Sequence, residues 1–200
     1  MKIYKSFING EWFDSRSGKT ATNVNPADPS DIIGEAQLAT REDAKNAVIA
    51  ASEAFPDWKR MPAPERGKII ARMAALMQEN KEELATLLSH EEGKTIAEAR
   101  GETQRGINVV DFCAGESRRM NGEYLPSELP DNFAYTMREP HGVVGIITPW
   151  NFPVAIPAWK IAPALVAGNT VVFKPATNTP STAVRLVELF IEAGLPKGVL

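Results

Sequence analysis

Two unbroken apolar runs stand out in the last third of the chain, Val143–Ile147 and Val171–Phe173. Neither alternates with polar residues, which suits parallel strands covered on both faces. The stretch between them reads as a helix stopped by Gly168-Asn169. Polar turns stand at both strand exits. The first is Thr148-Pro149-Trp150-Asn151-Phe152-Pro153, and the second begins with Lys174 and runs to Thr177. A crossover between parallel strands is right-handed, and ligands of open α/β sheets sit outside the carboxyl ends of the strands. The two exits can therefore line one crevice. The plain alternative is an ordinary Pro-rich turn and a solvated lysine.

The rest of the pattern is mostly helical. Near the start, Tyr4–Ile8 and Glu11–Phe13 flank Asn9-Gly10, a pair suited to a type I′ hairpin turn. Residues 23–33 read as a turn-rich connector. Thr40 and Asp43 predict a capping box, followed by apolar positions Ala44, Ala47, Val48, Ala51 and Phe55, with Pro56 ending the helix. Further helices are predicted from Pro64, around Leu84–Leu88, and from Thr95, whose partner Glu98 completes a second capping box, to about Ser117. Short strands at Glu123–Leu125 and Phe133–Met137 then form a hairpin-like insertion whose edges need partners. The last helix starts at Thr179-Pro180 and stops at Gly194, and a further strand is expected to begin at Val199-Leu200.

Composition narrows the classes. A chain of 200 residues, 44% hydrophobic and 24% charged, can build one sizeable core. The net charge of −3 is spread without a basic patch, which gives no support for a nucleic-acid partner. No apolar run approaches the ~20 residues a bilayer span requires, so no membrane partner is expected. The N-terminus lacks the apolar core of a signal peptide, and the lone cysteine forms no intrachain disulfide; a cytoplasmic location is expected.

Two features mimic chemistry. Gly93-Lys94-Thr95 resembles the end of a phosphate-binding loop, but the glycine required five residues earlier is Leu88. The helix-cap reading is preferred. Cys113 falls in line with Ala99, Thr103, Gly106, Ile107 and Val110 on one helical face, and reads as a packed thiol rather than a nucleophile. Two isolated histidines make a zinc site unexpected.

The wording of the central unit carries more than its pattern. ITPWNFP at Ile147–Pro153, AWKIAPAL at Ala158–Leu165, AGNTVVFKPA at Ala167–Ala176 and EAGLPKGV at Glu192–Val199 resemble the aldehyde dehydrogenase superfamily. The resemblance is dense over Pro140–Leu200 and extends weakly back to Phe7–Trp12. It implies an α/β chain, the first part of a Rossmann-like, mostly parallel-sheet cofactor-binding domain. Residues 1–121 would form its hairpin and helical part, 122–140 a protruding β extension of the oligomerisation type, and 141–200 the first βαβα units.

The resemblance also implies roles. Asn151 would be the side-chain donor of the oxyanion hole. Lys174 would bind the adenosine ribose of NAD or NADP, with Ile147, Thr148, Pro149, Trp150, Ala176 and Thr177 completing the cofactor side. The activity implied is oxidation of a small-molecule aldehyde through a thioacyl-enzyme by a homo-oligomer. The motif wording is similar to the branch that oxidises semialdehydes such as 2-oxoglutarate or succinate semialdehyde. Where the family often has Glu three residues after the Lys, this chain has Thr177, so NADP⁺ is expected to be accepted as well as NAD⁺. The family's nucleophilic Cys, base Glu and glycine-containing cofactor loop lie downstream of the GLPKGV-like segment. The 200 residues alone are therefore expected to be inactive. Two rivals stay open: a reductase of acyl-CoA or acyl phosphate in the same superfamily, and a non-catalytic binding or assembly module.

Overall fold

The computed structural model describes residues 1–200. Its N-terminal part is a small mixed sheet beside a hairpin. Strand β1 (Ile3–Tyr4) pairs in parallel with β5 (Asp28–Gln37), which pairs antiparallel with β4 (Thr20–Asn25). Between them, β2 (Ser6–Ile8) and β3 (Glu11–Phe13) form the predicted hairpin. Asn9 and Gly10 take φ of 52° and 85°, as a type I′ turn demands. The expected first strand is broken at Lys5, because Tyr4 turns away to β5 and is buried there.

The connector expected over residues 23–33 is instead most of the β4–β5 hairpin. Its strands are rich in polar residues and bury only Asn23, Gly34 and Ala36, so they lack the alternating face of large apolar residues by which a strand is recognised. What holds β5 is close backbone approach. A Cβ on Gly34 would stand 2.6 Å from the Lys2 carbonyl oxygen, which receives the Glu35 N–H at 2.9 Å.

Four helices follow: α1 (Arg41–Arg60), α2 (Ala63–Glu79), α3 (Lys81–Glu92) and α4 (Ile96–Glu116). Both predicted capping boxes form, at Thr40/Asp43 and Thr95/Glu98. Pro56 does not end α1; it lies inside it. A proline in a helix interior costs about 3 kcal/mol, but the turn beyond it is anchored. Trp58 is buried and its Nε1 donates to the Leu165 carbonyl at 3.1 Å. The buried Arg66 guanidinium donates to the carbonyls of Lys59 and Met61 at the end of α1 and to that of Val166.

The insertion forms β6 (Tyr124–Leu125) and β7 (Ala134–Tyr135), shorter than expected. Then comes the central unit: β8 (Val143–Ile147), α5 (Ala155–Val166), β9 (Thr170–Lys174) and α6 (Pro180–Glu192). β8 and β9 are parallel, as predicted. They are less covered than unbroken apolar runs imply. Only β9 pairs with β8, and Ile147 is 75% exposed. No strand forms at Val199-Leu200, although the buried Val199 carbonyl accepts the Val171 N–H at 2.8 Å.

One core joins the helical layer to this unit. Ile70, Met73 and Met77 of α2, Leu84 and Leu88 of α3 and Val110 of α4 pack with Ile161 and Leu165 of α5 and Leu189 of α6, all essentially fully buried. Each such side chain contributes roughly 1.5–3 kcal/mol. That core sets the position of α4 against α5.

Candidate functional site

The pairing of β8 with β9 puts Ile147 opposite Lys174. One residue later the Thr148 N–H donates to the Lys174 carbonyl at 3.3 Å. The two exits therefore leave the sheet at one edge, side by side. Asn169 sets up the far end. Its Oδ1 accepts the N–H groups of His141 (2.7 Å) and Gly142 (3.2 Å), and its Nδ2 donates to the Ala164 carbonyl. The helix-stopping residue thus also fixes where β8 begins. Gly168 beside it has φ of 95° and would press a Cβ within 3.2 Å of the Arg66 guanidinium, so glycine is required there.

In the first exit, Thr148 is buried while Pro149, Trp150, Asn151 and Phe152 are exposed. The Asn151 side chain makes no hydrogen bond within the chain, although asparagine in a turn often bonds its own backbone. The backbone of Asn151 is held from outside. Lys94 Nζ donates to its carbonyl at 3.1 Å and stands 4.4 Å from the centre of the Phe152 ring. The same ammonium is paired with Glu102 Oε2 and lies 3.4 Å from Glu92 Oε2. The other oxygen of Glu102 accepts the N–H groups of Val154 (2.9 Å) and Ala155 (3.1 Å) at the start of α5. Helix α5 has no side-chain cap of its own, so Glu102 of α4 supplies one.

The second exit has a similar anchor. Helix α6 also lacks its own side-chain cap. The buried Glu91 of α3 accepts the N–H groups of Ser181 (2.6 Å) and Thr182 (2.8 Å), and the Asn23 side-chain amide at 2.7 Å. Lys174 itself is exposed, and its ammonium makes no hydrogen bond or ion pair. Ala176 is half-buried and Thr177 exposed.

The electrostatics agree with this division of labour. Burial pushes the Glu92 carboxyl above its usual range, partly countered by Lys94. Burial, with the negative charge of Glu116 second, pushes the Cys113 thiol up. A buried thiol held protonated is not a nucleophile. His90 is engaged by Asp31 at 2.6 Å. No group of three or more His, Cys, Asp or Glu side chains could hold a metal ion. A concavity of about 590 Å³ lies elsewhere, between α3 and α6. Its walls include Arg185, paired with Glu83 at 2.9 Å, and only one hydrophobic residue, which suits neither a nicotinamide nor an adenine ring.

Gly93-Lys94-Thr95 is a helix junction, as preferred from sequence. Gly93 ends α3 with φ of 86° and Thr95 caps α4. Reading it as a cap nevertheless overlooked Lys94, and the pattern also passed over Glu91 and Glu102. A usable signal existed. Glu102 falls on the apolar face of α4 with Ala99, Thr103 and Gly106, where a carboxylate needs a partner.

Residues 12–200 match the model of the Aldehyde dehydrogenase family. An alpha-ketoglutaric semialdehyde dehydrogenase of Bacillus subtilis is 50% identical over 197 residues, covering 98% of this chain and 40% of the relative. The crystal structure of an E. coli NADP dependent enzyme superimposes with a TM-score of 0.95 at 39% identity, covering 98% of this chain and 40% of that one. An NAD-dependent aldehyde dehydrogenase from Sinorhizobium meliloti gives a TM-score of 0.95 at 39% identity, covering 99% and 40%. The chain thus spans about 40% of the length of the relatives it matches.

Proposed function

Because the chain belongs to the aldehyde dehydrogenase family, we propose that it supplies the oxyanion donor and one wall of the cofactor site in an NAD(P)-dependent enzyme that oxidises a semialdehyde to the acid. The observation that carries this is the state of Asn151: its backbone is clamped while its side-chain amide is exposed and unbonded. A neutral N–H donor held in place strengthens its bond as the aldehyde oxygen gains charge, without reorganising. Hydride leaves from a tetrahedral centre rather than from the flat aldehyde, so this stabilisation acts on the step that creates that centre.

Lys174 is the ribose-binding group in this reading, and its lack of an internal partner leaves all three of its donors free. The bound nicotinamide would supply the hydride acceptor. Thr177 places no carboxylate near the ribose 2′ position, so a 2′-phosphate meets no repulsion and NADP⁺ is accepted as well as NAD⁺. Dinucleotide folds often seat the pyrophosphate on a helix N-terminus. Here Glu102 and Glu91 occupy the N–H groups at the starts of α5 and α6, so those two ends are not used.

The nucleophile and the base are assigned in this reading to the part of the relatives that this stretch does not cover, since Cys113 is packed away. Residues 122–140, with Tyr124, Phe133, Tyr135 and Met137 exposed, are read as an assembly surface of a cytosolic homo-oligomer. No helix is long and apolar enough to cross a membrane.

The test is Asn151→Ala in the full-length enzyme, assayed with α-ketoglutaric semialdehyde. Loss of one oxyanion donor is expected to lower kcat by roughly 10²–10³-fold with NADP⁺ affinity unchanged. A kcat within threefold of the wild type would overturn the assignment.

A further inference from the structure

We propose that Lys94 and Glu102 are positioning residues for Asn151: together they clamp the turn that presents the oxyanion donor. This rests on the oxyanion reading above. The clamp has two attachment points. The Lys94 ammonium binds the Asn151 carbonyl at one side of the turn, and Glu102 Oε1 binds the Val154 and Ala155 N–H groups at the other. Glu102 Oε2 binds the ammonium and so closes the loop between them. The turn cannot swing as a hinge unless one of these bonds breaks.

The alternative roles for the pair are weaker. Lys94 has a side chain only 11% exposed and faces two carboxylates, so it offers no net charge to an anionic ligand. Glu102 is 4% exposed, and both of its oxygens are occupied within the chain. What remains is geometry. Without the ammonium, the peptide after Asn151 is free to rotate, and the Asn151 amide can fold back onto its own turn, as asparagine commonly does. A donor displaced by about 1 Å loses up to ~10²-fold in rate.

The experiment is a double-mutant cycle in the full-length enzyme. Wild type, Lys94→Met, Asn151→Ala and the double variant are compared for kcat with α-ketoglutaric semialdehyde, and for NADP⁺ Kd by fluorescence titration. Lys94→Met is expected to lower kcat about tenfold or more, with Kd changed less than twofold. In the Asn151→Ala background the same change is expected to cost less than twofold, because the donor being positioned is gone.

Wild-type kcat in Lys94→Met overturns the proposal. So does an undiminished tenfold loss in the Asn151→Ala background, which would mean that Lys94 acts through something else while the oxyanion assignment stands. If Asn151→Ala alone keeps wild-type kcat, the oxyanion reading falls and the positioning role falls with it. Should Lys94→Met prevent folding, Lys94→Met/Glu102→Gln takes its place in the cycle. That variant removes both charges and keeps an acceptor for the α5 N–H groups.

Discussion

The two strand exits are built from similar parts and held to different degrees. After each strand comes a polar turn and then a helix with no side-chain cap of its own. Each helix start is instead capped by a buried carboxylate from the helical layer, Glu102 for α5 and Glu91 for α6. They differ in the second partner. Glu102 is paired with an ammonium that also reaches back to the turn. Glu91 is satisfied by a neutral amide, Asn23, from the distant β4–β5 hairpin. In the first exit the backbone is locked and the Asn151 amide is left over. In the second, Lys174 is unattached. The contrast suits the proposed roles: a donor to a developing charge needs fixed geometry, and a cation that binds a cofactor needs free donors.

The sharpest way to break this contrast is to remove each carboxylate. Glu102→Ala leaves Lys94 without its main counter-charge and α5 uncapped, and is expected to cost about 3–5 kcal/mol in urea denaturation. Glu91→Ala leaves neutral groups unbonded, with an expected cost of about 1–3 kcal/mol. Equal losses would show that the ammonium contributes nothing special at the first exit.

Lys174→Ala tests the opposite claim. With no internal partner to lose, it is expected to weaken NADP⁺ binding roughly tenfold to hundredfold, with the unfolding midpoint unchanged. A lowered midpoint would show that Lys174 is structural. Thr177→Glu sharpens the same end of the site: NADP⁺ affinity is expected to fall about tenfold while NAD⁺ affinity holds. Isothermal titration with both cofactors checks it.

The smallest effect concerns Glu92, whose carboxyl is pushed up by burial. The unfolded chain loses this proton near its ordinary value of about 4.3, while the folded chain keeps it to higher pH. Stability therefore falls as pH rises from that value through the raised native one. Glu92→Gln is expected to melt slightly higher than the wild type at pH 7 and at the same temperature below about pH 4.

Much of this protein was legible in local pattern. The capping boxes at Thr40 and Thr95, the Asn9-Gly10 turn, the β8–α5–β9–α6 order and the packed Cys113 all follow from periodicity, φ preference or spacing over a few residues. The two apolar runs put Asn151 and Lys174 at the strand exits, and the motif wording implies their roles. Pattern misled where a distant partner overrode a local rule. Pro56 sits inside α1 because Trp58 and Arg66 anchor the turn after it to residues about a hundred positions away. Polar Thr20–Asn25 forms a strand through backbone pairing and through Asn23 meeting Glu91, 68 residues on. What makes Asn151 available was decided by tertiary structure alone. Lys94 is 57 residues before it, and Glu102 is 52 residues before Val154. Local sequence sets which backbone conformations are cheap. A buried charge is tolerable only where the fold brings its partner, and that partner can come from anywhere in the chain.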